Sequence, residues 1–299
     1  MRVKRHLSRR LLVPAALVLA ALALYWTWSA LTRPQGSQRV PFLPALAACA
    51  SEGPLRYCVY RDRGGTNGDI VYHLHGRNLD EQAWNDDTYY TALVQAAWQE
   101  RGVRPPTVVA LSYGPTWLLA PKGRAPDSGL LEDLIARLPA IERKVGEPRR
   151  RMLLGESMGG LNVLVAGLSH PDRFDKVAAL CPGVYKVSPF ASLGEIRSAM
   201  QRTGADPKII FGIWRWARRH YADDREWRAS APLTLLERAG AATPELYLAN
   251  GLYDAYGNFE GTRALARRAA ELGVSTEWHP LYGGHCVSDA PSLASFLVS

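Results

Sequence analysis

The chain has 299 residues, 47% of them hydrophobic, which is enough for one large domain with a full core. Its formal net charge is +8, yet no nucleic-acid motif accompanies the excess. We therefore set aside a nucleic-acid partner and read the charge as solvated surface able to attract anionic envelope polymers or substrates. No internal repeat or low-complexity run interrupts the chain.

The first ten residues carry Arg2, Lys4, Arg5, Arg9 and Arg10, and an uncharged apolar run from Leu11 to Leu31 follows. About twenty such residues span a bilayer as a helix. Arg33 and Arg39 follow the run, but the denser basic cluster precedes it, so residues 1–31 read as a cytoplasmic tail and transmembrane signal-anchor with the rest of the chain outside. A cleaved signal peptide is the rival. The run is long for one, and Tyr25-Trp26-Thr27-Trp28 offers no clean cleavage site but suits a membrane interface. Ser8-Arg9-Arg10 and Leu46-Ala47-Ala48-Cys49 match a twin-arginine signal and a lipobox only faintly. Residues 32–54, rich in Pro, Gly and Ala, are expected to be a linker.

From Leu55 onward, apolar strand-like runs alternate with helical patterns. Leu55 to Arg61 is an expected strand. Ile70-Val71-Tyr72-His73-Leu74 is another, and it ends in His75-Gly76-Arg77. Glu81 to Arg101 reads as a helix, Thr107 to Tyr113 as a strand, and Leu130 to Val145 as a helix with Leu131, Leu134, Ile135, Leu138 and Ile141 at helical spacing. The loop before that helix holds Trp117, Lys122 and Arg124. Met152-Leu153-Leu154 then runs into Gly155-Glu156-Ser157-Met158-Gly159-Gly160, and a buried helical pattern leads away. Strand, G-x-S-x-G, helix is the context of a nucleophile elbow, in which a serine stands on a sharp turn above the sheet. Side chains at Gly155 and Gly159 would collide where strand and helix cross. The bland alternative is a glycine-rich turn with an inert serine.

Lys176 to Leu180 is a further strand. Between about 182 and 232 the alternation stops, and arginines mix with Trp214, Trp216 and Trp227; Ile209 to Tyr221 reads as helical. Glu245 to Asn250 is a strand followed by Gly251-Leu252-Tyr253-Asp254, which sets a carboxylate on the loop at its C-terminal end. Phe259 to Leu272 reads as a helix, Thr276 to Leu281 as the last strand, and Tyr282-Gly283-Gly284-His285 follows it; Ser292 to Val298 closes the chain. The alternation argues a mostly parallel sheet with helices on both faces. Residues 55–299 are one α/β domain carrying the 182–232 insertion.

Other candidates read as structural. His73 lies on the opposite strand face from Leu74, and His75 forms the turn. Glu156 could bond into the elbow. His170, His220 and His279 lack partners at metal-ligand spacing. Asp289 is an alternative acid but lies close to His285 in sequence. Four cysteines in an exported chain suggest two disulfides in one of three connectivities, the alternative being reduced or partnerless thiols. Cys49 with Cys58 would close a small loop, and Cys181 with Cys286 would join two strand ends where the site is built.

Ser157, Asp254 and His285 occur in the chain order of a hydrolase triad. With the strand-His-Gly turn, Trp84, Gly-Glu-Ser-Met-Gly-Gly, the G-x-x-D loop and Gly-Gly-His, residues 55–299 resemble the esterase branch of the α/β-hydrolases that holds esterase D, feruloyl esterases and the antigen 85 mycolyltransferases. The resemblance implies an α/β-hydrolase fold and acyl transfer, with Ser157 as nucleophile, His285 as base and Asp254 as the acid, a position where some members carry Glu. It also implies oxyanion donors at the N–H groups of Arg77 and Met158. Arg77 departs from the small or apolar residue often found after His-Gly, which leaves its side chain near the mouth of the site. In such folds an insertion often covers the site, so residues 182–232 read either as a lid or as a surface helix packing its tryptophans on the domain. An ester or acyl substrate is implied, and neither cofactor nor metal is required. An envelope acyltransferase would use the same triad. A non-catalytic binding protein on this fold would be expected to have lost part of it.

Overall fold

The computed structural model describes residues 4–32, 39–116 and 129–299. One eight-stranded sheet organises the domain. Its strands are β1 (Leu46–Glu52), β2 (Leu55–Arg61), β3 (Ile70–Leu74), β4 (Thr107–Ser112), β5 (Arg151–Glu156), β6 (Lys176–Leu180), β7 (Glu245–Gly251) and β8 (Thr276–Leu281). Their spatial order is β1-β2-β4-β3-β5-β6-β7-β8. β1 and β2 are antiparallel to their neighbours, and β4 through β8 run parallel.

The side-chain alternation of the central strands sorts the core into two layers. Tyr72, Leu74, Leu153, Val177 and Leu248 face α3 (Leu130–Val145), α4 (Met158–Ser169), α8 (Pro232–Ala239) and α9 (Phe259–Glu271). Val71, Met152, Leu154, Ala178 and Tyr247 face α2 (Tyr90–Glu100) and α10 (Ala290–Phe296). A sheet covered on both faces explains why its parallel strands are almost continuously apolar. The expected α/β architecture is therefore present.

Ahead of the domain, α1 (Lys4–Thr32) contains an apolar stretch, Pro14–Leu31, long enough to cross a membrane and not buried in the protein. The insertion folds as α5 (Leu193–Thr203), α6 (Pro207–His220) and α7 (Asp224–Ala229).

Three expectations are corrected. Residues 46–52 are not part of a linker; they form β1, hairpin-paired to β2 from Leu46↔Arg61 to Glu52↔Leu55 across a turn at Gly53, whose φ is 59°. β1 lies at the sheet edge with its side chains exposed, so no apolar alternation marks it. The expected helix from Glu81 to Arg101 is interrupted. The Asp86 carboxylate accepts hydrogen bonds from the Thr88 N–H (2.9 Å) and hydroxyl (2.7 Å), a local turn that competes with helix and delays α2 to Tyr90. α5 was not anticipated, although Ser192 and Glu195 form a capping box at its start. The linker residues 33–38 and the loop bearing Trp117, Lys122 and Arg124 lie outside the described residues.

Both expected disulfides, Cys49–Cys58 and Cys181–Cys286, are formed. The first pairs residues directly opposite in the β1–β2 register. The second ties the end of β6 to the loop after β8, and both of its cysteines have positive φ.

Candidate active site

β5 ends at Glu156 and α4 begins at Met158, so the chain reverses on Ser157 alone. Ser157 sits at φ 55°, ψ −113°, a conformation that costs energy in a non-glycine residue and is held by its surroundings. The Ser157 N–H donates to the Leu180 carbonyl (2.9 Å), and the Leu161 N–H donates to the Ser157 carbonyl (3.1 Å). The glycines explain how strand and helix come so close. A Cβ on Gly155 would strike the Gly159 carbonyl, and one on Gly159 would strike the Leu74 carbonyl of β3.

The three dispersed candidates meet here. His285 Nε2 lies 2.9 Å from Ser157 Oγ, and His285 Nδ1 lies 2.8 Å from Asp254 Oδ2 and 3.0 Å from Oδ1. With Nδ1–H donating to the carboxylate, Nε2 is left to accept the serine proton. Asp254 is buried, and its Oδ1 also accepts the Tyr256 N–H at 2.9 Å. Asn250 donates to the side chains of Asp254 (3.5 Å) and Asn258 (3.3 Å), and Asn258 donates to the carbonyls of Cys181 (3.0 Å) and Pro182 (2.9 Å). The loops carrying Asp254 and His285 are thus bound to the end of β6 by side-chain amides and by the Cys181–Cys286 bond.

A second buried cluster lies beneath the elbow. The Glu156 carboxylate accepts the Gly76 N–H (2.6 Å), the His73 ring N–H at Nε2 (2.8 Å) and the Tyr90 hydroxyl (2.8 Å). Burial pushes this carboxyl up. The His73 ring beside it, with the Tyr90 and Gly76 donors, outweighs burial and holds it below the usual carboxylate range. His73 Nδ1 is buried without a hydrogen-bond partner. His75 donates from Nδ1 to the Gly76 carbonyl (2.7 Å) and accepts at Nε2 from Ser112 Oγ (2.8 Å). Burial lowers its pKa, in keeping with a neutral turn-former.

Met158 is the first residue of α4, where helical N–H groups lack intrahelical acceptors, and Arg77 follows Gly76 on the turn clamped by Glu156. The alternative acid Asp289 caps α10 through the Ser292 N–H (3.1 Å). His170 pairs with Glu132 (3.1 Å), His279 with Glu277 (3.2 Å), and His220 bonds the Trp216 carbonyl (2.9 Å). Cys181, His285 and Cys286 cluster closely enough to hold a metal ion, but the disulfide leaves no thiolate to bind one.

Sequence reading missed Tyr256, whose ring stacks on His285 with centroids 3.8 Å apart and planes 18° from parallel. It also missed Asn250 and Asn258. Their signal was faint: three polar residues at four-residue spacing, Asn250, Asp254 and Asn258, around one loop.

Residues 53–285 match the model of the family described as "Putative esterase". The fold is similar to that of a hormone-sensitive lipase from a metagenome library, at 17% identity and a TM-score of 0.60 over 87% of this chain and 88% of that one. A ferulic acid esterase aligns at 16% identity and a TM-score of 0.57, over 86% of this chain and 96% of that one. An arylesterase aligns at 16% identity and 0.58, over 93% and 88%. No curated protein matches the sequence. The family match spans the elbow, the acid loop and the histidine, and on it the chain belongs to this esterase family of α/β-hydrolases, the carboxylic ester hydrolases.

Proposed function

We propose that the protein is a membrane-tethered, extracytoplasmic serine esterase in which Ser157 is the nucleophile, His285 the general base and Asp254 the carboxylate that orients it. The observation that carries this reading is the continuous chain from Ser157 Oγ through both ring nitrogens of His285 to a buried carboxylate, at 2.9 and 2.8 Å. Ser157 Oγ attacks the ester carbonyl carbon as His285 Nε2 takes its proton. Asp254 stabilises the imidazolium that forms. The N–H groups of Arg77 and Met158 receive the oxyanion, each worth about 3 kcal/mol in the transition state. The imidazolium then protonates the leaving alkoxide, and water, activated by the same histidine, releases the acid.

Tethering and location rest on α1 and on the disulfides. An apolar stretch of 18 residues with basic residues before it suits an anchor. Two disulfides suit an oxidising compartment. Hydrolysis of p-nitrophenyl acetate and longer esters by the full chain and by Ser157→Ala tests the reading. We expect turnover by the first and background by the second, and equal turnover by both would end it.

A further inference from the structure

The insertion meets the anchor. Gly204 ends α5 with φ 70°, and a Cβ placed there would lie 3.3 Å from the Trp28 ring of α1. Trp28 is 45% exposed, and its neighbours Ser29 and Leu31 are the partly covered residues of the described apolar stretch, the others being exposed. A tryptophan at the end of a membrane-spanning helix sits at headgroup depth. The corner between α5 and α6 is therefore at that depth too, and α6 starts only three residues after Gly204.

α6 is built for that position. Phe211 is 60% exposed and stacks on Trp214, with centroids 5.7 Å apart. The Arg218 guanidinium lies over Trp214 (4.6 Å to the centroid) and over Phe190 (5.2 Å). Lys208, Arg215 and Arg219 are exposed on the same helix, and Leu193, 79% exposed, stands at the start of α5. Within α5 and α6 only Ala217 and His220 are buried. Apolar rings bordered by arginines form the pattern of a helix that lies in a membrane interface.

We infer that α6 and the α5–α6 corner lie on the membrane that α1 crosses, with Phe211 and Trp214 among the lipid headgroups and Arg215 and Arg219 on anionic phosphates. The occupant of this face is an anionic lipid surface. The inference rests on the tethered-esterase reading and extends it: an enzyme held this way is presented to amphipathic esters at the bilayer surface. α6 is about 21 Å long, so it can lie along the surface from a corner fixed by Trp28.

The test uses the full chain in vesicles of phosphatidylcholine with or without phosphatidylglycerol. Benzoylphenylalanine replaces either Leu22 in α1 or Phe211 in α6, and lipid adducts are read by mass after illumination. We expect adducts at position 22 in both vesicles and at position 211 in the anionic ones. Arg215→Gln with Arg219→Gln should cut the adduct at 211 by about fivefold or more in anionic vesicles, and leave p-nitrophenyl acetate turnover unchanged. Adducts at 22 but none at 211 would overturn the inference and leave the tether standing. Equal labelling at 211 in both vesicles, indifferent to the arginines, would overturn the anionic assignment. No adduct at either position would overturn the tether itself.

Discussion

The elbow and the insertion are both largely helical, and they are built on opposite terms. In α4 every residue from Met158 to Leu168 is buried, and three glycines let it press against strands. In α5 and α7 no residue is buried, and in α6 only two are. The elbow is fixed by the core: Ser157 is held in a costly backbone conformation because β3, β5 and β6 surround it. The insertion is held by caps, ring stacks and ion pairs, interactions individually worth about 1 kcal/mol. The difference teaches that the elbow is fixed by the core while the insertion is held mostly at its surface, so under the proposed function chemistry would rest on the first and presentation of substrate on the second.

The largest effects should come from the proposed triad. Ser157→Ala or His285→Ala should lower kcat by about 10⁶-fold, and Asp254→Asn by about 10⁴-fold. The expected melting curve is near normal, because none of these changes opens the core. If Asp254→Asn were silent while Asp289→Asn abolished turnover, the acid would be Asp289.

Next come the supports of the elbow. Removing Glu156 with Ala leaves the Gly76 N–H and the Tyr90 hydroxyl without their shared acceptor, at a cost of about 3–5 kcal/mol in urea unfolding. The sign of its pH dependence follows from its environment. The folded pKa lies below the ordinary value of 4.5, so the stability that Glu156 contributes is complete above 4.5 and is lost as pH falls through the folded value. Glu156→Gln should flatten the acid limb of stability against pH; an unchanged limb would show that the carboxylate contributes nothing there. Among the disulfides, Cys181–Cys286 spans 105 residues and Cys49–Cys58 spans 9. Loop closure assigns them about 5 and about 3 kcal/mol. Only the first adjoins His285, so its paired alanine variant should lose turnover as well as stability.

The smallest effects should be in the insertion, and there they should separate. Trp216 stacks on His220 (4.5 Å) and meets Tyr221 (5.9 Å), so Trp216→Ala should lower the melting temperature. Trp214 stacks on exposed Phe211 and Arg218, so Trp214→Ala should alter the ratio of long-chain to short-chain ester hydrolysis with little loss of stability. A lowered melting temperature with an unchanged ratio in Trp214→Ala would make this face packing rather than a surface that presents the enzyme to amphipathic esters.

Much of this was legible in the sequence because the core follows simple periods. Strands β2 through β7 and helix α3 appear as apolar runs or helical spacing, since each is buried on at least one face, and β8, only partly buried, was marked by its place before Gly-Gly-His. The triad candidates were legible because each follows a strand and is marked by glycines. β1 was not, because an edge strand with exposed small side chains carries no burial pattern. The Glu156–His73 contact joins β5 to β3, and the stack of Tyr256 on His285 joins two loops; no local pattern encodes either. The contact between Trp28 and Gly204 depends on where two distant segments meet, so it too was beyond sequence reading.

The central claim is that Ser157 is a nucleophile made reactive by His285. A fluorophosphonate probe followed by peptide mass mapping tests it directly. The account predicts a single adduct on the Ser157 peptide of the native chain, absent from Ser157→Ala and strongly reduced in His285→Ala. An adduct on another residue, or undiminished labelling of Ser157→Ala, would contradict it.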